Sequence, residues 1–243
     1  MAADRVLVVA AHPDDEVIGC GGTIAAHKKR GDTVTILFMA DGVTSRTYEP
    51  GQKLTRAQEL KTNQRILERR RKESQEAARI LGVKSDHVIH LQLADQRLDQ
   101  YPFLDLVKHI EKVKAKVQPS FIYTHYWNDL NLDHCLTARA VATAFRPNDK
   151  NDDPAILCFE IPETTQLSIP DGGKAFQPDV TNDISSTLDM KLKALTAYAS
   201  ERCVFPHPRS PEFLKQWAAH RGSSKGYSAA EGFISLRSKE FGL

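Results

Sequence analysis

Short apolar runs alternate along this chain with longer segments of helical period. Arg5–Ala10 is a continuous β-branched run of the kind that parallel strands buried on both faces carry. Thr33–Met39 is a second such run, and shorter ones lie at His87–Leu91, Phe121–Thr124 and Ile156–Phe159. Between them the pattern predicts helices over Thr23–Arg30, closed by Gly31-Asp32, and over Arg56–Leu81, closed by Gly82. Two more fall at Phe103–Val117, stopped by Pro119, and at His134–Phe145. Beyond residue 160 the alternation loosens: Leu188–Ser200 and Pro211–Arg221 read as helices, with Phe205–Ser210 as a loop between them. Strands alternating with helices predict an α/β fold, a mostly parallel sheet with helices on both faces. Such folds gather their chemistry at the carboxyl ends of strands. Four polar segments follow predicted strands directly: His12–Glu16, Asp41–Arg46, Asp95–Asp99 and His125–His134.

In the long second helix, Leu60, Leu67, Ser74 and Leu81 recur every seven residues, with Ala77 and Ala78 on the same side. That stripe is expected to be the buried face. Arg70 lies on or beside it, three residues before Glu73. It either closes a structural ion pair under the sheet or points into the site to hold substrate.

The composition fits one globular domain over residues 1–243, 41% hydrophobic and 26% charged. Lys plus Arg number 33 against 31 Asp plus Glu, a balance without the excess of a nucleic-acid binder. The longest apolar run, Val6–Ala11, is far too short to span a membrane. The N-terminus lacks the form of a secretory signal, so a cytoplasmic protein is expected. Cys20, Cys135, Cys158 and Cys203 are widely spaced, which predicts reduced thiols rather than a zinc ribbon or redox pair.

The segment Ala11-His-Pro-Asp-Asp-Glu16 places three acids and an imidazole directly after the first strand. Like charges this close resist joint ionisation unless a cation sits among them. Gly19, Gly21 and Gly22 follow, but they do not match a dinucleotide-binding loop, and carboxylates are a poor cradle for pyrophosphate. The segment from Thr124 ends on His134 at a helix start. His12, Asp15 and His134 would offer two nitrogens and a carboxylate oxygen, a set that suits zinc with one position left for water. Asp14 could accept that water's proton. Spacing alone leaves packed imidazoles as the alternative, because nine histidines are scattered through the chain.

His12-Pro-Asp-Asp15 after a first strand, with Leu132-Asp-His134 far downstream, resembles the PIG-L/LmbE family of zinc-dependent de-N-acetylases. Arg70-x-x-Glu73 leading to Leu81-Gly82, and the acidic segment at Asp95, extend the resemblance over residues 4–240. It implies a Rossmann-like three-layer sandwich and hydrolysis of an N-acyl amine, usually on an amino sugar. By position, His12, Asp15 and His134 match the ligands of zinc or another divalent metal such as Fe2+. Asp14 matches the general base, and Arg70 and Asp95 match positions that meet substrate.

Many members read His-Pro-Asp-His in the second motif, and its first histidine serves as acid or oxyanion donor. Here the residue is Asn131, whose amide can donate to an oxyanion but cannot deliver a proton, or which only caps the helix beginning near His134. Either Asp14 then handles both proton transfers, or His125 or His207 supplies the acid beside the substrate. Asp133 would orient an imidazole. Phe205–Ser210, Arg221-Gly222 and Ala230-Glu-Gly-Phe233 resemble a bacterial LmbE-like subgroup. They are expected to form a substrate-facing C-terminal part over about 160–243. Arg46 and Arg209 could grip a phosphate or nucleotide carrier there, or stand as surface arginines.

The expected function is therefore metal-dependent removal of acetate from an N-acetylated amino sugar, free or linked to a nucleotide, lipid or glycan. An amidase acting on a non-sugar N-acyl amine and a non-catalytic sugar-binding relative are the alternatives. The expected partner is the small-molecule substrate, with a homo-oligomer left open.

Overall fold

The computed structural model describes residues 3–43, 55–147, 154–168 and 175–238. Its strands are β1 (Arg5–Ala10), β2 (Thr33–Ala40), β3 (Val88–Leu93), β4 (Phe121–His125), β5 (Ala155–Phe159), β6 (Val180–Asp183) and β7 (Ala230–Arg237). They form one sheet in the order β3-β2-β1-β4-β5-β7-β6. β1 to β5 are mutually parallel, while β7 runs antiparallel to both β5 and β6. The helices are α1 (Asp15–Arg30), α2 (Arg56–Ile80), α3 (Phe103–Val117), α4 (Leu132–Ala144), α5 (Pro162–Thr165), α6 (Leu188–Ala197) and α7 (Pro211–Ser223).

Two apolar cores explain the unbroken apolar character of β1. Val6, Val8 and Ala10 face one core with residues of α1, α2 and α6. Leu7 and Val9 face the other with residues of α3 and α4. Each side of the strand is covered, so neither register can be polar. The result is the expected three-layer sandwich around a mostly parallel sheet. From β1 the order advances through β2 to β3 on one side and restarts at β4 on the other. A crevice opens at the carboxyl ends where that direction reverses, and it brings the loops after β1 and β4 together.

Three expectations change. The first helix begins at Asp15 rather than Thr23 and is broken at Cys20 (φ −145°, ψ 23°). Gly19 and Gly22 lie at this break because a Cβ on either would overlap the Phe159 ring or the Ile184 side chain. The N–H groups freed by the break, on Gly22 and Thr23, donate to the carboxylate of Glu231 at 2.9 and 2.8 Å. Lys191 Nζ donates to the Ile18 carbonyl and to Glu231 at 2.8 and 2.6 Å. Ala230–Phe233 is accordingly no substrate-facing segment: it is the start of β7, inside the sheet, with Phe233 fully buried. Finally, the heptad stripe of α2 is buried only in its C-terminal half. Ser74, Ala77, Ala78 and Leu81 pack inward, but Leu60 is 61% exposed. All four cysteines are free thiols, and no described helix is long and apolar enough to cross a membrane.

Candidate metal centre and active site

The loop after β1 is built by its own carboxylates. The Asp15 carboxylate accepts the His12 backbone N–H at 2.8 Å through Oδ2, which closes the turn over Pro13. Oδ1 of the same carboxylate is buried and has no hydrogen-bond partner. His134, on the first turn of α4, approaches from the other loop, with Nε2 3.4 Å from Asp15 Oδ2. Its Nδ1 lies 3.1 Å from Asp129 Oδ1. With Nδ1 donating toward Asp129, the ring in its neutral form would present the buried, unpartnered Nε2 lone pair to a cation. His12 Nδ1 lies 3.3 Å from Asp15 Oδ2. Ligand atoms of His12, Asp15 and His134 all fall within 4.8 Å of one another. Three buried ligand groups converging, one of them with an unpartnered buried nitrogen, fit a divalent cation, because burial without a partner is otherwise costly.

A second group, His12 with Asp95 and Asp133, shares the same imidazole. It uses the other ring nitrogen: Nε2 is 3.0 Å from Asp133 Oδ2 and 3.0 Å from Asp95 Oδ1. Asp133 is already engaged, accepting the N–H groups of Gln96 at 2.8 Å and Leu98 at 3.1 Å. These contacts suit a carboxylate that orients His12 so that Nδ1 faces the cation position.

Electrostatics agree with a site made for positive charge. Burial opposes protonation of His134, yet the Asp15 charge and the Asp129 hydrogen bond lift it to about 9. His12 is likewise raised, its bonds to Asp133, Asp15 and Asp95 overcoming burial. Burial works against the Asp15 anion too, but the His134 and His125 rings hold it well below the usual carboxylate range.

Asp14 stands next to this centre with its backbone at φ 111°, ψ −26°, a conformation L residues seldom adopt. Its carboxyl is buried, which pushes it up to about 6 against the pull of Arg209 and Arg70. Arg209 Nη1 lies 2.9 Å from Asp14 Oδ2 and 3.3 Å from Glu201, and its Nε donates to Glu163. Arg209 is thus neither a phosphate clamp nor a surface arginine; three carboxylates occupy it. Arg46, its expected companion, lies outside the described residues.

Arg70 reaches the site from α2, but backward, into the loop. It is 3% exposed, donates to the Pro13 carbonyl, and sits 3.0 Å from Glu201; Glu73 is farther, at 3.9 Å. It supports the loop from behind rather than presenting itself to a substrate. His125, expected beside the substrate, is fully buried. Its Nε2 accepts the Ala11 N–H at 2.8 Å, and its ring stacks on His134 with centroids 4.0 Å apart. Burial, aided by His134, holds it well below the usual imidazole range, which disfavours a protonated ring there. His207 is partly exposed on the Phe205–Ser210 loop, with Nδ1 accepting the Arg209 N–H and Nε2 3.7 Å from Glu163. Asn131 is the N-cap of α4: Oδ1 accepts the Asp133 N–H at 2.9 Å. An oxyanion-donor role would fall to its Nδ2 alone. Asp95 is buried beside His12.

Sequence reasoning passed over Asp129, which holds His134 and accepts the Thr165 hydroxyl at 2.5 Å. The available signal was an acid five residues before His134 in a strand-to-helix loop. It also passed over Glu163 and Glu201, which only the fold brings to Arg209.

Comparison with known proteins bears on this geometry. A family model described as PIG-L, GlcNAc-PI de-N-acetylase, matches residues 7–145, which hold His12, Asp14, Asp15, Asp95, Asp129, Asp133 and His134 but not Glu163, Glu201 or Arg209. A probable N-acetyl-alpha-D-glucosaminyl L-malate deacetylase 2 from Bacillus cereus is 30% identical over 198 residues, 81% of this chain and 83% of its own. The N,N'-diacetylchitobiose deacetylase of Pyrococcus horikoshii superposes with a TM-score of 0.73 at 27% identity, covering 97% of this chain and 84% of that one. GalB, the 4-carboxy-2-hydroxymuconate hydratase of Pseudomonas putida KT2440, superposes equally well (TM-score 0.74, 98% of each chain) at 22% identity, a likeness of fold alone. One architecture thus carries more than one chemistry, and membership rests on the matched sequence rather than on shape. On that ground the chain belongs to the PIG-L family.

Proposed function

We propose that this protein is a zinc-dependent de-N-acetylase that hydrolyses the acetamide of an N-acetylated amino sugar. The observation that carries the reading is the convergence of His12, Asp15 and His134, whose ligand atoms lie within 4.8 Å of one another, with His134 Nε2 buried and unpartnered and a second carboxylate, Asp14, adjacent. His12, Asp15 and His134 would hold the metal, with the fourth position open. A bound zinc supplies Lewis acidity, polarising a carbonyl and bringing the pKa of a water down to about 7.

The remaining work falls to the chain's own side chains. Asp14, largely ionised at neutral pH, takes a proton from the attacking water as its oxygen bonds to the amide carbon. When the C–N bond breaks, protonated Asp14 returns that proton to the departing amine, leaving acetate and the free amino sugar. His125 is sealed and its protonated form disfavoured, so Asp14 serving in both directions is the economical assignment. Asp133 and Asp129 keep the two imidazoles in their required tautomers. Arg209 and Arg70 keep Asp14 from remaining protonated in its buried setting.

The test is a panel: zinc-loaded protein with N-acetylglucosamine, N,N'-diacetylchitobiose and several non-sugar N-acyl amines, read by released amine and acetate. Release from an acetamido sugar, abolished by a chelator and restored by zinc, is expected. Turnover confined to the non-sugar amides would replace this reading with the amidase one.

Asn131 allows a cheaper discrimination. Asn131→Ala is expected to remove the cap of α4 and cost about 1 kcal/mol, lowering Tm by about 2–4 °C for a chain of this size. kcat should hold, because the bond seen is the capping bond. A fall in kcat on the order of 10²-fold with unchanged Tm would instead mark Nδ2 as an oxyanion donor.

A further inference from the structure

Asp14 is the N-cap residue of α1, yet its side chain makes no capping bond. An aspartate there ordinarily turns its carboxylate onto the first N–H groups of its own helix. Here the carboxylate points to Arg209 instead, and the backbone carries a positive φ, a strained conformation that persists only where the surroundings enforce it. Two neighbours enforce it. Arg70 holds the Pro13 carbonyl on one side of the peptide plane. On the other side, the Asp14 N–H donates to Glu16 Oε2 at 3.0 Å. Glu16 resembles the reciprocal half of a capping box, acting from two residues ahead rather than three.

Glu16 is a carboxyl with no exposure at all, and burial pushes it up to about 8. Its other oxygen, Oε1, accepts the Tyr198 hydroxyl at 2.6 Å. Tyr198 sits just past α6, 1% exposed, and its ring lies 5.5 Å beneath the Arg70 guanidinium. The two holders of the Asp14 peptide therefore brace each other. The arrangement lets Asp14 and Asp15, adjacent in sequence, aim at different targets: Asp15 at the cation position, Asp14 at the reacting proton. Neither Glu16 nor Tyr198 is needed as a metal ligand or as a substrate contact for this.

We propose that Glu16, fixed by Tyr198, is a positioning residue that holds the Asp14 N–H so that the Asp14 carboxylate is aimed at the reacting proton rather than at its own helix. The inference rests on the reading of Asp14 as the base. It predicts a defect in kcat alone, since misplacement by about 1 Å at a reacting group can cost 10²-fold.

The experiment compares Glu16→Leu, Glu16→Gln and Tyr198→Phe as zinc-loaded full-length proteins. The substrate is whichever of N-acetylglucosamine and N,N'-diacetylchitobiose the wild type turns over. Zinc content and Tm are measured on the same samples. Glu16→Leu keeps the bulk and loses the acceptor; kcat is expected to fall on the order of 10- to 100-fold, with KM and zinc stoichiometry unchanged. Glu16→Gln, whose amide oxygen can still accept the Asp14 N–H, should recover most of that loss. Tyr198→Phe removes one hydroxyl and should cost kcat several-fold at unchanged KM, which keeps the test decisive if Glu16→Leu does not fold. Wild-type kcat in Glu16→Leu or in Tyr198→Phe overturns the proposal, as does a Glu16→Gln no better than Glu16→Leu. Loss of zinc from Glu16→Leu overturns it too, because Glu16 would then shape the metal centre. A wild type inactive on both sugars would instead strike the functional reading itself.

Discussion

His134→Ala is expected to purify without its metal and without measurable turnover, while remaining folded. The imidazole supplies the buried, unpartnered Nε2 of the His12, Asp15 and His134 group, and the other candidate group among the described residues, His12 with Asp95 and Asp133, does not include it. The fold does not depend on it, since the cores lie on the two faces of the sheet rather than around the metal. A graded companion sharpens the test: Asp129→Ala leaves the ligand but frees its Nδ1 side, and loss of such an orienting carboxylate typically weakens metal binding 10- to 100-fold. Stoichiometric zinc in His134→Ala, by elemental analysis, would remove the centre proposed here.

The same residue predicts a pH signature. In the metal-free chain His134 is raised from 6.5 to about 9. Its protonation therefore stabilises the fold fully below about 6.5, and the contribution fades as pH rises through about 9. Chelated protein should lose Tm over that interval, whereas zinc-loaded protein should not. Metal and proton compete for the same nitrogen, so apparent zinc affinity should fall as the pH is lowered. A chelated protein whose Tm is flat from pH 6.5 to 9 would contradict the assignment of Asp15 and Asp129 as its partners.

Much of this centre could be read from the chain because two of its parts are local. β1 and β4 are apolar runs that parallel pairing buries on both faces, and the polar residues following each can only lie at the carboxyl edge. What escaped the reading depends on residues far apart in sequence. Ala230–Arg237 holds a Glu and a Gly near its start and so looks unlike a strand; Glu231 is tolerated there because the broken α1 needs an acceptor for Gly22 and Thr23. The seven-residue stripe of α2 is genuine, but no pattern within the helix says that the body of the protein ends near Arg70. Arg209 looks like an anion clamp only while its partners Asp14, Glu163 and Glu201 are out of view. Asn131 stands where relatives place a working histidine or simply caps its helix, and the structure shows the capping bond through its side-chain carbonyl, with Nδ2 left for any oxyanion role.

Asp14→Asn should separate chemistry from everything else at this site. The substitution preserves shape, and its amide oxygen can still accept from Arg209, which lies 2.9 Å from Asp14 Oδ2. Asparagine also tolerates positive φ better than most residues. Zinc should therefore stay bound, and KM should change little. The lost property is basicity, and a positioned general base contributes about 10²- to 10⁴-fold. Stability should move the opposite way. Burial raises the Asp14 carboxyl from 3.8 to about 6, so ionising it in the folded chain opposes folding at any pH above about 3.8. Removing that charge relieves the cost, and Glu163 and Glu201 still neutralise Arg209. The variant should thus melt no lower than wild type while losing at least about 10²-fold in kcat. In the wild type, turnover should rise with pH as Asp14 ionises, at or below about 6, since a bound dication beside it favours the anion. A kcat near that of wild type in Asp14→Asn would send the proton elsewhere and take the two-way role of Asp14 with it.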